Sequence, residues 1–347
     1  MSISAKLSSS EVDSDWADLS AVPGADKAFA HHGIAFTATG ELVGFHAGQL
    51  VVIDSGGSVV SIAETELTEG HGVTVVREGD RDLVWIADPG FAIACGHGAG
   101  SPKLPPFFGA GLDVTRTPGR VVQMTIAGEI VRSLPTPVAV TDDAPGPYAP
   151  YAPTAVAVDE TRFGGRGDIW VADGYGSNVV HRFDSAGQHI ATLTGSEGAG
   201  RFDCPHSVFV DRRPGKSPEL YVTDRGNARI AVYDLEGRFS RLVGEEFLDS
   251  PSGIAMWAGA LAVVELNGRL TLLGEDDRLV GHVGDNPDAK GRPGWPNALG
   301  EGRVAQRPTE LVAGRFNSPH AVAVDAHDRL VVAEWVIGGR YSSVTPS

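Results

Sequence analysis

Apolar and polar positions along this chain change places over short runs, in a pattern that repeats. Six stretches share it: His32-Gly-Ile-Ala-Phe-Thr37, His71-Gly-Val-Thr-Val-Val76, Thr154-Ala-Val-Ala-Val-Asp159, His206-Ser-Val-Phe-Val-Asp211, Ser252-Gly-Ile-Ala-Met-Trp257 and His320-Ala-Val-Ala-Val-Asp325. Residue types alternate at period two in each, as they do in a half-buried strand. A second strand follows five of them: Leu83-Val-Trp-Ile-Ala-Asp88, Asp168-Ile-Trp-Val-Ala-Asp173, Glu219-Leu-Tyr-Val-Thr-Asp224, Leu261-Ala-Val-Val-Glu265 and Leu330-Val-Val-Ala-Glu334. All five end in an acid. A polar turn and a third strand come next, such as Asn178-Val-Val-His-Arg-Phe183 or Ala228-Arg-Ile-Ala-Val-Tyr233, then a glycine-containing turn and a fourth, such as His189-Ile-Ala-Thr-Leu193.

Four short antiparallel strands per repeat make a propeller blade, and six starts predict an all-β, six-bladed β-propeller. The single propeller domain is expected over residues 32–347. Residues 1–31 form an N-terminal extension that packs outside the ring or closes it with the C-terminal strands. The starts are unevenly spaced, so two blades carry insertions, near residues 89–118 and 284–313. Long loops of this kind lie on a face and often shape a binding site.

The first residue of each blade faces the axis, and around the ring these residues read His32, His71, Thr154, His206, Ser252 and His320. Blades two, four and six stand a third of a turn apart, so His71, His206 and His320 can approach one point from three sides. Three neutral imidazoles suit Zn2+ and leave a fourth coordination position for water or substrate, although another divalent metal is compatible. His32 falls outside that set. His46 is a further cavity candidate, and Glu265 and Glu334 are candidate proton shuttles or partners for a ligand histidine.

Composition narrows the function. The chain has 347 residues, 45 of them Gly and 22 Pro, which suits tight turns rather than long helices. Its formal net charge of -16 opposes binding to nucleic acid or to an anionic membrane surface. The first twenty residues hold no apolar segment and no later run is long enough for a bilayer span, so a soluble, cytoplasmic protein is expected. Two cysteines, Cys95 and Cys204, make no disulfide framework. No P-loop, dinucleotide fingerprint, nucleophile elbow or CxxC pair is present.

The lead-ins Gly200-Arg-Phe-Asp-Cys-Pro-His206 and Gly314-Arg-Phe-Asn-Ser-Pro-His320 resemble the NHL repeat. Further segments are similar to peptidyl-α-hydroxyglycine α-amidating lyase, a zinc propeller: Gly33-Ile-Ala-Phe-Thr-Ala-Thr-Gly-Glu-Leu-Val-Gly-Phe-His-Ala-Gly48, His71-Gly, Pro153-Thr-Ala-Val-Ala-Val-Asp159, Asp173-Gly-Tyr-Gly-Ser177, Pro205-His-Ser-Val208, Asp224-Arg-Gly-Asn-Ala-Arg229 and Pro319-His320. The resemblance implies that His71, His206 and His320 hold the zinc. It implies that Tyr175 is the catalytic base and that Arg225 binds a carboxylate or an oxyanion. The departures fall around the site. Ala47 stands where the family has an arginine, Ser318 where it has methionine, Ala321 where an aspartate helps hold a structural Ca2+, and Gly176 where a cysteine follows the tyrosine. A structural Ca2+ is therefore not assumed, and a substrate other than peptidyl-hydroxyglycine is expected.

These readings point to a zinc-dependent lyase or hydrolase acting on a small-molecule or peptide substrate in the central channel. The alternative is a non-catalytic NHL propeller that serves as a protein-interaction scaffold, its histidines structural.

Overall fold

The computed structural model describes residues 11–96, 109–137 and 150–345. Six four-stranded antiparallel sheets stand around one axis. The chain enters on β1 (Glu11–Ala17) and then builds blade one from β2 (Ile34–Phe36), β3 (Leu42–His46), β4 (Gln49–Ile53) and β5 (Val59–Glu64). Blade two starts with β6 (Gly72–Glu78) and β7 (Arg81–Asp88). The chain then leaves it for a hairpin of β8 (Phe91–Cys95) and β9 (Leu112–Arg116), and returns through β10 (Arg120–Thr125) and β11 (Ile130–Ser133).

Blade three is β12 (Ala155–Val158), β13 (Ile169–Asp173), β14 (Val179–Phe183) and β15 (His189–Leu193). Blade four is β16 (Pro205–Asp211), β17 (Glu219–Asp224), β18 (Arg229–Asp234) and β19 (Phe239–Val243), and blade five is β20 (Pro251–Trp257), β21 (Ala260–Glu265), β22 (Arg269–Leu273) and β23 (Leu279–Val283). A short ribbon of β24 (Ala298–Leu299) and β25 (Ala305–Gln306) precedes β26 (Pro319–Val324), β27 (Leu330–Glu334) and β28 (Arg340–Thr345). β1 pairs with β28 as the outer strand of this last blade, so the N-terminal segment closes the ring. The innermost strands β2, β6, β12, β16, β20 and β26 each touch the next, and β26 returns to β2. No helix among the described residues is long and apolar enough to cross a membrane.

The core is divided among the six blade boundaries. In β7, Leu83, Trp85 and Ala87 pack toward blade three, while Val84 and Ile86 pack toward blade one. In β13, Ile169 and Val171 face blade two, and Trp170 and Ala172 face blade four. The second strand of a blade is thus buried on both faces, and its period-two alternation sorts apolar side chains between two neighbours rather than between core and water. This explains why the sequence shows apolar runs there instead of a strict apolar-polar alternation.

The acid that ends these strands has a structural task. Asp88, Asp173, Asp224, Glu265 and Glu334 are all completely buried. Each accepts backbone N–H groups from the segment leading into its own blade: Asp88 from Thr68 at 2.9 Å, Asp173 from Ala152 at 2.7 Å, Asp224 from Asp203 at 2.8 Å, Glu265 from Asp249 at 2.5 Å and Glu334 from Ser318 at 3.0 Å. Glu265 and Glu334, which the sequence allows as partners of a ligand histidine, bind this backbone instead of an imidazole. Glu265 also accepts from Thr271 and from Arg269 at 2.7 Å. Glu265→Ala strands these donors in the interior. It is expected to lower the free energy of unfolding by about 3 kcal/mol, read as a lower urea midpoint at unchanged slope.

Candidate metal centre

His71, His206 and His320 meet at one end of the axis. Their ring centroids form a nearly equilateral triangle, 4.7 Å from His71 to His206, 4.7 Å from His71 to His320 and 4.9 Å from His206 to His320. The rings stand between 72° and 89° to one another. Each imidazole is held from the next blade. His71 Nδ1 donates to the Thr154 carbonyl of blade three at 2.6 Å, His206 Nδ1 to the Ser252 carbonyl of blade five at 2.8 Å, and His320 Nδ1 to the His32 carbonyl ahead of blade one at 3.3 Å. An Nδ1 proton committed to a carbonyl leaves Nε2 as a bare lone pair in the neutral ring. All three lone pairs are therefore available to a shared ligand. Close packing at the blade starts makes this approach feasible: a Cβ on Gly72, next to His71, would stand 2.6 Å from the Ala155 Cα.

A fourth imidazole joins them. His31 lies 4.5 Å from His71 and 4.7 Å from His320, ring to ring. One nitrogen from each of His31, His71, His206 and His320 falls within 4.8 Å of the others, so the four buried side chains can hold a metal ion. Burial pushes His71 down to about 3, against the hydrogen bond to Thr154 and with help from Arg225, and holds His31, His206 and His320 well below the usual histidine range, where the neighbouring imidazoles and Arg225 add to the effect. Neutral imidazole is the form that ligates metal.

Tyr175, from the turn after β13, places its hydroxyl 3.0 Å from His31 Nε2 and 3.2 Å from Nε2 of both His71 and His206. One hydroxyl proton cannot serve the Nε2 lone pairs of both His71 and His206, and His320 Nε2 has no hydrogen-bond partner among the described residues. Such a set of inward-facing, under-satisfied lone pairs is matched by a cation. Arg225, which opens the turn after β17, brings Nη2 to 3.4 Å from the Tyr175 hydroxyl and 3.2 Å from Cys204 Sγ. No carboxylate among the described residues pairs with this guanidinium.

The two insertions converge above this cluster. Phe91 and Leu112 from the β8–β9 hairpin join Phe29, Trp335, Ala305 and Tyr175 in one apolar group, with Trp295 against it. His31 touches Phe91 at 5.6 Å and Trp335 at 5.0 Å between ring centroids. The hairpin is tied to the N-terminal segment through Ala28 and Ala94, and to the second insertion through Ala110 and Val304. Residues 97–108 of the first insertion lie outside the described residues.

Sequence reasoning reaches His71, His206, His320, Tyr175 and Arg225, and the fold brings all five together. It misses His31. The position just before the blade start is Gly70, Pro153, Pro205, Pro251 or Pro319 in the other five blades, so a histidine there is the anomaly that could have marked it. His32 turns away to Tyr341, 3.2 Å from its hydroxyl. His46 does not face the cluster: it bonds the Ala25 carbonyl at 3.2 Å and packs against His32. Ala47, Ser318 and Ala321 keep the departures read from the sequence, and Ser318 bonds the Trp335 carbonyl at 3.0 Å. Cys95 and Cys204 are free thiols.

No protein-family model and no curated protein matches the sequence. Solved structures do match in fold. Streptogramin B lyase is similar at a TM-score of 0.54 and 12% identity, over 99% of each chain. The selenomethionine form of virginiamycin B lyase from Staphylococcus aureus gives 0.51 and 12%, over 97% of this chain and 98% of that one. A protein of unknown function from Bacteroides thetaiotaomicron VPI-5482 gives 0.56 and 14%, over 97% of this chain and 76% of that one. At such identities the likeness establishes the six-bladed fold.

One consequence of the burial can be measured at His46, where desolvation lowers the imidazole from 6.5 to about 4. Below pH 6.5 the unfolded chain takes up a proton that the folded chain refuses. Stability therefore falls as the pH drops from 6.5 toward 4, by about 1.4 kcal/mol per pH unit from this group. Urea unfolding at several pH values, with both proteins in the same metal state, should show that slope in the wild type reduced by this amount in His46→Gln.

Proposed function

We propose that this chain is a zinc-dependent enzyme that cleaves a bond in a small organic molecule or modified peptide, by elimination or by hydrolysis. The observation that carries the reading is the threefold convergence of Nε2 lone pairs, each fixed by a backbone carbonyl of the following blade. A metal-ligating histidine ordinarily has its second nitrogen held in this way. Three imidazoles with an open position are a catalytic donor set, and zinc is the ion that best suits them.

His71, His206 and His320 would hold the ion, which when bound supplies Lewis acidity to an oxygen of substrate or water. Tyr175 is assigned the proton transfer. Its hydroxyl already touches His31, His71 and His206, so a substrate atom admitted there lies within reach of it. Arg225 adjoins the same hydroxyl and has no carboxylate partner among the described residues, which suits it to steady negative charge on the phenol oxygen, on a substrate carboxylate or on a developing oxyanion. His31 is stacked on the Tyr175 ring, 10° from parallel, and can take or return the hydroxyl proton. A lyase among proteins of this fold agrees with the reading without establishing it.

His31 also favours a second reading. Four nitrogen donors complete a tetrahedral shell, and closed four-ligand sites are structural. The ion would then pin the N-terminal segment to the ring.

Elemental analysis of protein purified without an affinity tag should find about one zinc per chain. Loss of zinc is expected in the His206→Ala/His320→Ala double variant. His31→Ala separates the two readings: zinc is retained in the catalytic case, and zinc and thermal stability fall together in the structural one. Once α-hydroxyamides, esters and lactones have been screened for turnover, Tyr175→Phe should lower kcat by a factor on the order of 10²–10⁴ while zinc content stays unchanged. Undiminished turnover in that variant would remove Tyr175 from the proton transfer.

A further inference from the structure

On the side of the histidines away from the roof, an open channel follows the propeller axis. Its volume is about 510 Å3, within the range of small-molecule sites. His71, His206 and His320 line it, whereas Tyr175, Arg225 and His31 do not. The channel therefore meets the three imidazoles from the side opposite the phenol. Inner strands of about six residues give it a length of roughly 20 Å.

The wall is aliphatic for most of that length, as at Val73, Ala157, Val208, Ile254 and Ala323. Among the described residues its two charged ones, Glu160 and Arg212, follow the far ends of β12 and β16, and both are already engaged. Glu160 pairs with Arg162 at 2.7 Å, and Arg212 binds Asp159 and the Phe163 carbonyl. At the same end Phe163 and Met256 remain 56% and 45% exposed. At the inner end His320 Nε2 is buried and has no hydrogen-bond partner among the described residues. An apolar tube with large apolar residues at its mouth and three imidazoles at its base calls for a long ligand that is unlike at its two ends, and because the Nε2 lone pairs match a cation, an anionic head is accepted there through that cation. Although the chain carries a net charge of -16, no acidic side chain lines the inner part of the channel, so an anionic head meets no fixed carboxylate there.

We propose that the central channel binds a slender amphiphile, its anionic head against His71, His206 and His320 and its alkyl tail along the inner strands. The grip on the head rests on the metal reading given above. The seat for the tail does not.

Decanoate is a suitable probe, titrated calorimetrically below its micellar range into the full chain in zinc-loaded and metal-free forms. Binding is expected in both, at least roughly tenfold tighter with zinc. Ala321→Phe fills the channel next to His320 and should weaken binding more than tenfold. Met256→Glu is a surface change at the mouth, far from the seat of the head, and should leave the affinity within about twofold. Absence of binding in both forms, or binding that Ala321→Phe does not weaken, overturns the channel site. Equal affinity with and without zinc overturns the placement of the head. Failure of zinc to load, with decanoate still bound by the metal-free chain and still displaced by Ala321→Phe, would sink the metal reading and uphold the seat for the tail.

Discussion

The centre of this molecule depends on a hydrogen bond that crosses from one blade to the next. Each of His71, His206 and His320 uses Nδ1 to reach a carbonyl at the start of the following blade. That carbonyl lies on the inner edge of a sheet, where no further strand can pair with it. The bond therefore satisfies an edge acceptor and fixes an imidazole tautomer together. It also makes the geometry of the axis a property of the ring: His320 reaches to His32 across the seam where the innermost strands of blades six and one touch.

The ring holds because every blade is packed on both sides. The acid at the end of the second strand converts that packing into placement, since it grips the backbone that enters its own blade. In blades two, four and six the gripped segment carries the histidine, as in the bonds from Glu69 to Asp88, from Asp203 to Asp224 and from Asn317 to Glu334. Blade one reverses the polarity of this contact. His46 ends its second strand and donates to the Ala25 carbonyl, where the other five blades have an acceptor for N–H groups. The lead-in of blade one thus follows its own course, and it is this lead-in that brings a fourth imidazole, His31, over the other three.

Legibility in the sequence follows the same division. Whatever repeats could be read, because a strand start, an apolar second strand and a terminal acid recur at each blade. The threefold relation of His71, His206 and His320 follows from counting blades. The resemblance to a zinc propeller adds Tyr175 and Arg225, whose turns follow the acids of blades three and four, and the fold brings those turns to the histidines. Whatever departs from the repeat was opaque. His31 lies one residue ahead of the equivalent positions, His32 serves through its carbonyl rather than its ring, and the packing of the β8–β9 hairpin on the N-terminal segment has no counterpart in any other blade. Long-range contacts between unique segments leave no periodic trace in a chain.

The two sides of the histidine plate differ in kind, and this constrains any chemistry done there. On the roof side stand Tyr175, His31 and Arg225, to which the proposed function assigns proton transfer and anion binding, under an apolar cover built from Phe91, Leu112 and Trp335. On the channel side there is space and hydrocarbon but no titratable side chain beyond the three imidazoles until the far mouth. Polar side chains are thus concentrated where they are buried, which strengthens every charge interaction made there. A molecule cleaved with the help of Tyr175 must bring its reacting atom to the roof side, while its apolar bulk fits only the channel. The three imidazoles form the boundary between these two environments, and under the proposed function a substrate would be gripped from one side of them and acted on from the other.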